Sequence, residues 1–485
     1  GTYNLVVVGG GTAGLITAAV ASSMGAKTAL VERHLMGGDC LNVGCVPSKA
    51  IIRGARAQAE INWIARDGLA DRGTANDRVS VSAVLERMRR IRSEISGHDS
   101  AARYRDEFGV DVFVGSGEFT GKREVTVRGD DGSVRQIGFS KAVIATGARA
   151  SAPPIPGLDS VDYLTNESIF TLTEAPESLA IIGAGPIGCE MAQSFARFGV
   201  TVHLFELMPR VLPREDEDVA LTVQGALAAD GVHLHLGVNV QGVAAGKNGR
   251  AVVTIRPNPN ESQTEEVAAE RLLVAIGRAP NLEGLGLEAA GVEYHKRGVT
   301  VNEYLQTTNK RIFAAGDVAT PYQFTHMAEA TASLVVQNAL FLRTKKSGSI
   351  VVPWVTYTSP EVAHVGISEQ DAAKTGTEVQ VFTHPIGKVD RARLDGETEG
   401  FVKLIVPKGK TTILGATIVA AHAGEMIAEI VLAMQNGLGI DKLGGVVHPY
   451  PTQAEAIKRA ATGYLKQKLS PKVKRIMNTW FRWHR

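Results

Sequence analysis

The chain opens on an apolar run, Leu5-Val6-Val7-Val8, followed at once by the glycine-rich Gly9 to Gly14, a helical stretch to about Met24 and a second run from Thr28 to Glu32. The runs read as strands, and the glycines between them as a tight turn opening a helix. Apolar residues at helical spacing predict a long helix from Pro47 to about Arg66 and another from Ser80 to about Phe108. Strand-like pieces lead to Ala142-Val143-Ile144-Ala145-Thr146-Gly147, and Pro153-Pro154-Ile155-Pro156-Gly157 reads as a linker. The strand–glycine turn–helix–strand pattern returns from Leu179 to about Glu206 and closes at Leu272-Leu273-Val274-Ala275-Ile276-Gly277, with a short return segment at Ile312 to Asp317. From about residue 348 the pattern changes to alternating strands, such as Phe401-Val402-Lys403-Leu404-Ile405-Val406, followed by helices. Two similar α/β units and a C-terminal α+β module are expected.

Composition narrows the class. At 485 residues the chain is too long for one core and suggests about three domains. Its 52 glycines fit many tight βα turns. A formal charge of +2 argues against a nucleic-acid-binding body. No apolar run has the length of a membrane span, no signal peptide is expected, and three cysteines do not make a secreted disulfide scaffold. A cytoplasmic enzyme is the expectation.

Gly9-Gly10-Gly11-Thr12-Ala13-Gly14 is a G-x-G-x-x-G between a strand and a helix, with Glu32 ending the next strand. Glycines at these positions let backbone N–H groups approach a pyrophosphate at a helix N-terminus, and the acid accepts hydrogen bonds from a ribose diol. The alternative is a bare structural turn. The second copy is Gly183-Ala184-Gly185-Pro186-Ile187-Gly188, and its strand ends at Glu206. A carboxylate there repels a 2′-phosphate and favours NADH over NADPH, although Arg210 and Arg214 lie nearby and Glu206 also reads as a plain surface acid. Two such sites imply two cofactors, FAD and a nicotinamide.

The most specific string is Gly37-Gly38-Asp39-Cys40-Leu41-Asn42-Val43-Gly44-Cys45-Val46-Pro47-Ser48-Lys49. Cys40 and Cys45 are close enough in sequence to bridge across a helix entrance, and the positive end of that helix would stabilise a thiolate at Cys45. From spacing alone the pair reads as a redox couple, as buried inert thiols, or as part of a metal site for which no second Cys or His pair is at hand.

This string resembles the pyridine nucleotide-disulfide oxidoreductases with a C-x4-C centre: dihydrolipoamide dehydrogenase, glutathione reductase and mercuric reductase. The resemblance covers essentially the whole chain, through both glycine motifs, Ala145-Thr146-Gly147, Gly277-Arg278-Ala279-Pro280-Asn281 and Ala314-Ala315-Gly316-Asp317. It implies two doubly wound Rossmann-like domains, the second inserted in the first, plus a C-terminal α+β dimerisation domain. The boundaries expected are 1–150 for the first part of the FAD domain, 151–276 for the NAD(P)H domain, 277–347 for the return segment, 348–463 for the interface domain and 464–485 for a tail. It also implies FAD held by Gly9, Gly11, Gly14, Glu32, Gly38, Thr146, Gly147, Gly316 and Asp317. The nicotinamide nucleotide would be held by Gly183, Gly185, Gly188, Glu206, Gly277 and Arg278. Cys45 would be the flavin-facing thiol and Cys40 the outward interchange thiol. Lys49 and Glu190 match a family ion pair near the rings, with an ordinary charge pair as the alternative; Cys189 reads as a core filler. A homodimer with an active site shared between subunits follows.

The C-terminal signature departs from the disulfide reductases. They carry His-Pro-Thr, with Glu five residues after the His, whereas this chain reads His448-Pro449-Tyr450-Pro451-Thr452-Gln453-Ala454-Glu455. Alignment on Pro451-Thr452 and Glu455 puts Tyr450 in place of the proton-shuttling His, and tyrosine is a poor shuttle near neutrality. His448 takes over that role or is a turn histidine. Tyrosine here is similar to mercuric reductase, yet the C-terminal cysteine pair usual in that enzyme is missing from Met477-Asn478-Thr479-Trp480-Phe481-Arg482-Trp483-His484-Arg485. Asp39 also stands where better-known members carry Thr, an anion expected to disfavour the Cys40 thiolate. The expected activity is NADH-linked reduction, through FAD and the Cys40–Cys45 couple, of a thiol-reactive, soft-metal or quinone acceptor. A divergent disulfide reductase is the alternative. From Tyr464 the chain is basic and aromatic without an acid. That tail reads as a contact to the inner membrane face or an anionic partner, as a solvated helix whose aromatics pack on the body or the dimer mate, or, in a reading of another class, as the business end of a binding module.

Overall fold

The N-terminal apolar runs become neighbouring strands of one sheet. A computed structural model describes residues 2–69, 78–257 and 263–485. In chain order come β1 (Thr2–Val8), α1 (Thr12–Ser23), β2 (Thr28–Glu32), α2 (Gly38–Val43), α3 (Cys45–Arg66), α4 (Val81–Ser96), α5 (Ala101–Asp106), β3 (Asp111–Val114), β4 (Ser116–Gly121), β5 (Glu124–Arg128), β6 (Val134–Ile144) and β7 (Ala148–Ala150). Then follow β8 (Tyr163–Leu164), β9 (Ser178–Ile182), α6 (Pro186–Arg197), β10 (Thr201–Glu206), α7 (Glu217–Ala229), β11 (His233–Leu236), β12 (Asn239–Ala245), β13 (Ala251–Arg256), β14 (Glu265–Ala269), β15 (Arg271–Val274) and β16 (Arg278–Pro280). After α8 (Leu287–Ala290), β17 (Tyr294–His295), β18 (Gly298–Val299), β19 (Ile312–Ala314) and α9 (Thr325–Leu340) come β20 (Pro353–Thr356), β21 (Glu361–Gly366), α10 (Glu369–Thr375), β22 (Val379–Pro385), α11 (Asp390–Asp395), β23 (Phe401–Pro407) and β24 (Gly415–Ala420). The chain finishes with α12 (Ala423–Gln435), α13 (Ile440–Leu443), α14 (Glu455–Gln467) and α15 (Pro471–Trp483).

Two helix boundaries differ from expectation. α3 starts at Cys45 rather than at Pro47, which occupies the first turn, where no backbone N–H is needed. The single helix expected from Ser80 to Phe108 is broken by a 3-10 turn at Gly97–Asp99. The Ser100 hydroxyl then accepts the Arg103 N–H and starts α5 as a new helix, as Ser80 does for α4.

One compact unit comprises the chain up to Gly183, Ser194–His203 and Asn239–Ile350. Its main sheet has the order β3-β2-β1-β6-β5-β4, with β19 beside β6. β1 runs parallel to β2 and β6, and β19 parallel to β6, whereas β4, β5 and β6 are joined antiparallel. Side chains alternate across a strand. Leu5 and Val7 pack with Leu15, Phe313 and Val335 on one face, and Val6 and Val8 with Phe119, Phe139 and Ile312 on the other. Burying each such side chain contributes roughly 1.5–3 kcal/mol. In the same unit β15 lies parallel to β8 and β9.

The second unit comprises Ala184–Gln193, Leu204–Val238 and the chain from Val351. Its five-stranded sheet, β20-β21-β24-β23-β22, is antiparallel throughout. α12 and α14 cover it with Met426, Ile427, Ile430, Ile457 and Tyr464. This is the change to alternating strands expected near residue 348.

Candidate active site

The first glycine turn works through absent side chains. Gly9 has φ 112°, and a Cβ there would collide with the Ala145 carbonyl; a Cβ on Gly14 would collide with the Gly9 carbonyl. Glu32 ends β2 and folds back, its Oε2 accepting the Gly10 N–H at 2.6 Å and its Oε1 the His34 N–H at 2.8 Å. The second turn repeats the arrangement. Glu206 Oε2 accepts the Ala184 N–H at 2.8 Å and Oε1 the Met208 N–H at 3.0 Å. The duplication read in the sequence therefore extends to individual hydrogen bonds.

The cysteine segment docks on the first turn backbone to backbone. Gly37 N–H donates to the Gly10 carbonyl at 2.8 Å, and Gly38 lies against Gly11 so closely that a Cβ would strike its Cα. Cys40 lies within α2, and Cys45 opens α3. Cys45 Sγ is 3.5 Å from the hydroxyl of Thr325, the first residue of α9, so two helix N-termini meet at this sulfur. The hydrogen bond with Cys45, and then burial, push the Cys40 thiol far above its ordinary value. Asp39 does not act on Cys40 as expected, because its carboxylate is taken up by Arg278 Nη2 at 2.6 Å. The same guanidinium reaches the Ala148 carbonyl at 3.2 Å and Asp317 at 3.3 Å. Burial pushes the Asp317 carboxyl up, against the pull of the Arg278 charge.

Two further family strings interlock here. β16 pairs antiparallel with β7, Thr146 Oγ1 donates to the Asn281 carbonyl at 2.8 Å, and Asn281 N–H donates to the Gly147 carbonyl at 2.9 Å. Beside the thiols, α3 packs on α4 with Gly54 against Val84. Cys45, Val46, Lys49, Ala50 and Arg53, with Arg87, Ile91 and Ile95, line a groove of about 380 Å³. Its floor is apolar, with three cations along it.

The residues fit a flavin dinucleotide. Gly9, Gly14 and Gly38 let the turn close backbone to backbone at the start of α1, where a pyrophosphate is bound by N–H groups, and Arg278 Nε is buried without a hydrogen-bond partner. They also fit a second nucleotide, since open space lies where a Gly185 Cβ would be.

Gly183, Gly277 and Gly316 lie in the first unit, and Glu190, Tyr450, His448 and Glu455 in the second. Glu190 is buried on α6 and accepts the Tyr357 N–H at 2.8 Å. Cys189 is fully buried, its thiol pushed up first by burial, as suits a core filler. Tyr450 is 72% exposed, and its hydroxyl donates to Asp390 at 3.1 Å; that hydrogen bond raises the phenol above its ordinary value. His448 Nε2 lies 2.9 Å from Glu429, and its Nδ1 is buried without a partner. Glu455 pairs with Arg459 one turn on. Sequence reading missed Thr325, Asp390 and Glu429, which no motif marks. It also missed the pairing of Asp39 with Arg278. The acidic trio Asp216, Asp218 and Glu369 is held by the ammonium of buried Lys403.

Fold and site define a two-nucleotide, dithiol-bearing reductase, and the chain belongs to the pyridine nucleotide-disulphide oxidoreductases. That family's profile matches residues 3–332, and the profile of its dimerisation domain matches 352–461, in keeping with a homodimer. Members of the family use FAD and NAD(P)H. The chain is 37% identical over 469 residues to mercuric reductase of Staphylococcus aureus, covering 96% of this chain and 83% of that protein. It is 31% identical over 467 residues to dihydrolipoyl dehydrogenase of Bacillus subtilis, covering 95% and 97%. Among solved structures, the Cu(II) complex of the HOCl-induced flavoprotein disulfide reductase RclA from Escherichia coli matches with TM-score 0.85 and 28% identity, covering 95% of this chain and 99% of that one.

Proposed function

We propose that the chain is an NADH-linked flavoprotein whose Cys40–Cys45 dithiol delivers two electrons to a soft-metal ion or another thiol-reactive small molecule. The observation that carries this reading is Tyr450: where a disulfide reductase needs an imidazole, this chain has a phenol that Asp390 holds protonated. A soft cation needs two sulfur ligands more than it needs a proton donor. The relatives named mercuric reductase support the same acceptor class. Bound FAD and NADH would supply hydride chemistry at the site. Glu32 and Glu206 would orient the two adenosine riboses, with Glu206 selecting NADH. Cys45, at the start of α3, would face the flavin; Cys40 would take the acceptor, and Lys49, one turn along α3 from Cys45, would set the local field.

A second reading rests on His448 and Glu429. Their 2.9 Å contact is a His–carboxylate pair, the arrangement a proton shuttle to a disulfide substrate requires. Anaerobic titration of the purified holoprotein with NADH tests the shared core of both readings. A long-wavelength thiolate-to-flavin band, abolished by Cys45→Ser, is expected. Bleaching of the flavin without that band sinks the dithiol relay. Turnover with Hg(II), but not with low-molecular-weight disulfides, then separates the first reading from the second.

A further inference from the structure

The last helix, α15, carries an apolar face outside the reductase centre. Val473, Ile476, Met477, Trp480 and Phe481 follow the i, i+3, i+4, i+7, i+8 spacing that puts them on one side of a helix, with Trp483 at the edge of that face. Arg475, Asn478, Thr479 and Arg482 occupy the other side, and Lys472 and Lys474 flank the apolar arc. None of the thirteen residues is buried: Ile476 is 61% exposed, Trp480 62% and Trp483 86%. The preceding helix, α14, is amphipathic too, but it buries Ala456, Ile457, Ala460, Ala461 and Tyr464 in the core. Exposure of its apolar face therefore sets α15 apart from α14.

We propose that α15 lies flat in the headgroup region of an anionic lipid bilayer and tethers the enzyme there. Charge selects this occupant. From Lys466 to Arg485 there are seven lysines and arginines and no acid. A second copy of the helix packed face to face would bring like charges together, whereas anionic headgroups neutralise them. The dimerisation profile ends at residue 461, so self-association is already assigned to the preceding elements. At about 20 Å long, a helix of this length is too short to cross a bilayer. Its Trp and Phe side chains reach the acyl boundary while Lys472 and Lys474 extend to the headgroups. The tether then keeps the enzyme at the membrane surface.

The test is flotation of the full-length holoenzyme with vesicles of phosphatidylcholine containing about one-third phosphatidylglycerol, against pure phosphatidylcholine. Binding to the anionic vesicles alone, weakened by salt, is expected. Each cation near such a surface is worth about fivefold in affinity, so joint Lys472→Gln, Lys474→Gln and Arg475→Gln lowers binding about 100-fold. Joint Trp480→Ser, Phe481→Ser and Trp483→Ser abolishes it, with NADH-dependent flavin reduction unchanged in both variants. No binding to anionic vesicles overturns the proposal, as does equal binding to neutral ones. So does a fall in oligomeric mass on making the aromatic triple variant, which would assign the face to a second copy of the chain.

Discussion

The Asp39 carboxylate stands 2.6 Å from the Arg278 guanidinium, although 239 residues separate the two. The contact ties the first turn of α2 to the strand β16 and, through Asp317, to the 3-10 turn at Gly316–Val318. Arg278→Met leaves two carboxylates facing each other without a counter-charge. Removing one partner of a buried pair costs about 3–5 kcal/mol; with Asp39 37% exposed, the expected loss is about 2–3 kcal/mol, seen in chemical denaturation together with loss of FAD on gel filtration. Asp39→Thr leaves Arg278 with Asp317, and its effect stays within about 1 kcal/mol.

Acceptor reduction should climb with pH. The Cys40 thiol is held protonated, first by its hydrogen bond with Cys45 and then by burial, and the reactive species is the thiolate. Because the shift is upward, the thiolate fraction is small at neutrality and grows about tenfold per pH unit below the thiol's pKa. Steady-state rates between about pH 6 and 9 check this, and a plateau at neutral pH contradicts it.

Tyr450 and Asp390 offer a second handle. Asp390→Asn removes the hydrogen bond and the charge that raise the phenol, so the Tyr450 pKa falls toward its ordinary value. Ultraviolet titration of tyrosinate, with Tyr450→Phe as the blank, reads the shift directly.

His448→Asn discriminates between the two acceptor readings. Loss of a general acid–base costs about 10²–10⁴-fold in turnover, so the soft-metal reading expects a change below about tenfold with Hg(II). A large loss confined to disulfide substrates assigns the His448–Glu429 pair to proton transfer.

Lys403 is fully buried in β23 and bonds Asp218 at 2.7 Å and Asp216 at 3.3 Å, with Glu369 as its third acid. Lys403→Met leaves the buried Asp216 carboxylate without its counter-charge, held only by the Glu369 and Gln370 N–H groups. The expected destabilisation is about 3 kcal/mol, read from the urea midpoint, with the slope of the transition unchanged.

What the sequence determined by itself was local. Both glycine turns, the acids that end their second strands, and the Cys40–Cys45 helix entrance are each written within about thirty residues, where turn chemistry and hydrophobic spacing act directly. The alternation of Leu5 and Val7 against Val6 and Val8 was likewise legible, because the period of a strand needs no partner to be read. What meets those strings depends on contacts made across the fold. Thr325 reaches Cys45 across 280 residues, Tyr450 reaches Asp390 across 60, and His448 pairs with Glu429 rather than with Glu455. Such contacts follow from the order of strands in a sheet and from which helix faces are covered, and neither leaves a periodic trace along the chain. Asp39 shows the difference most plainly. Alone in the sequence it is an anion beside a thiol; in the fold its charge is neutralised by Arg278, which the packing of β16 against β7 brings within 2.6 Å.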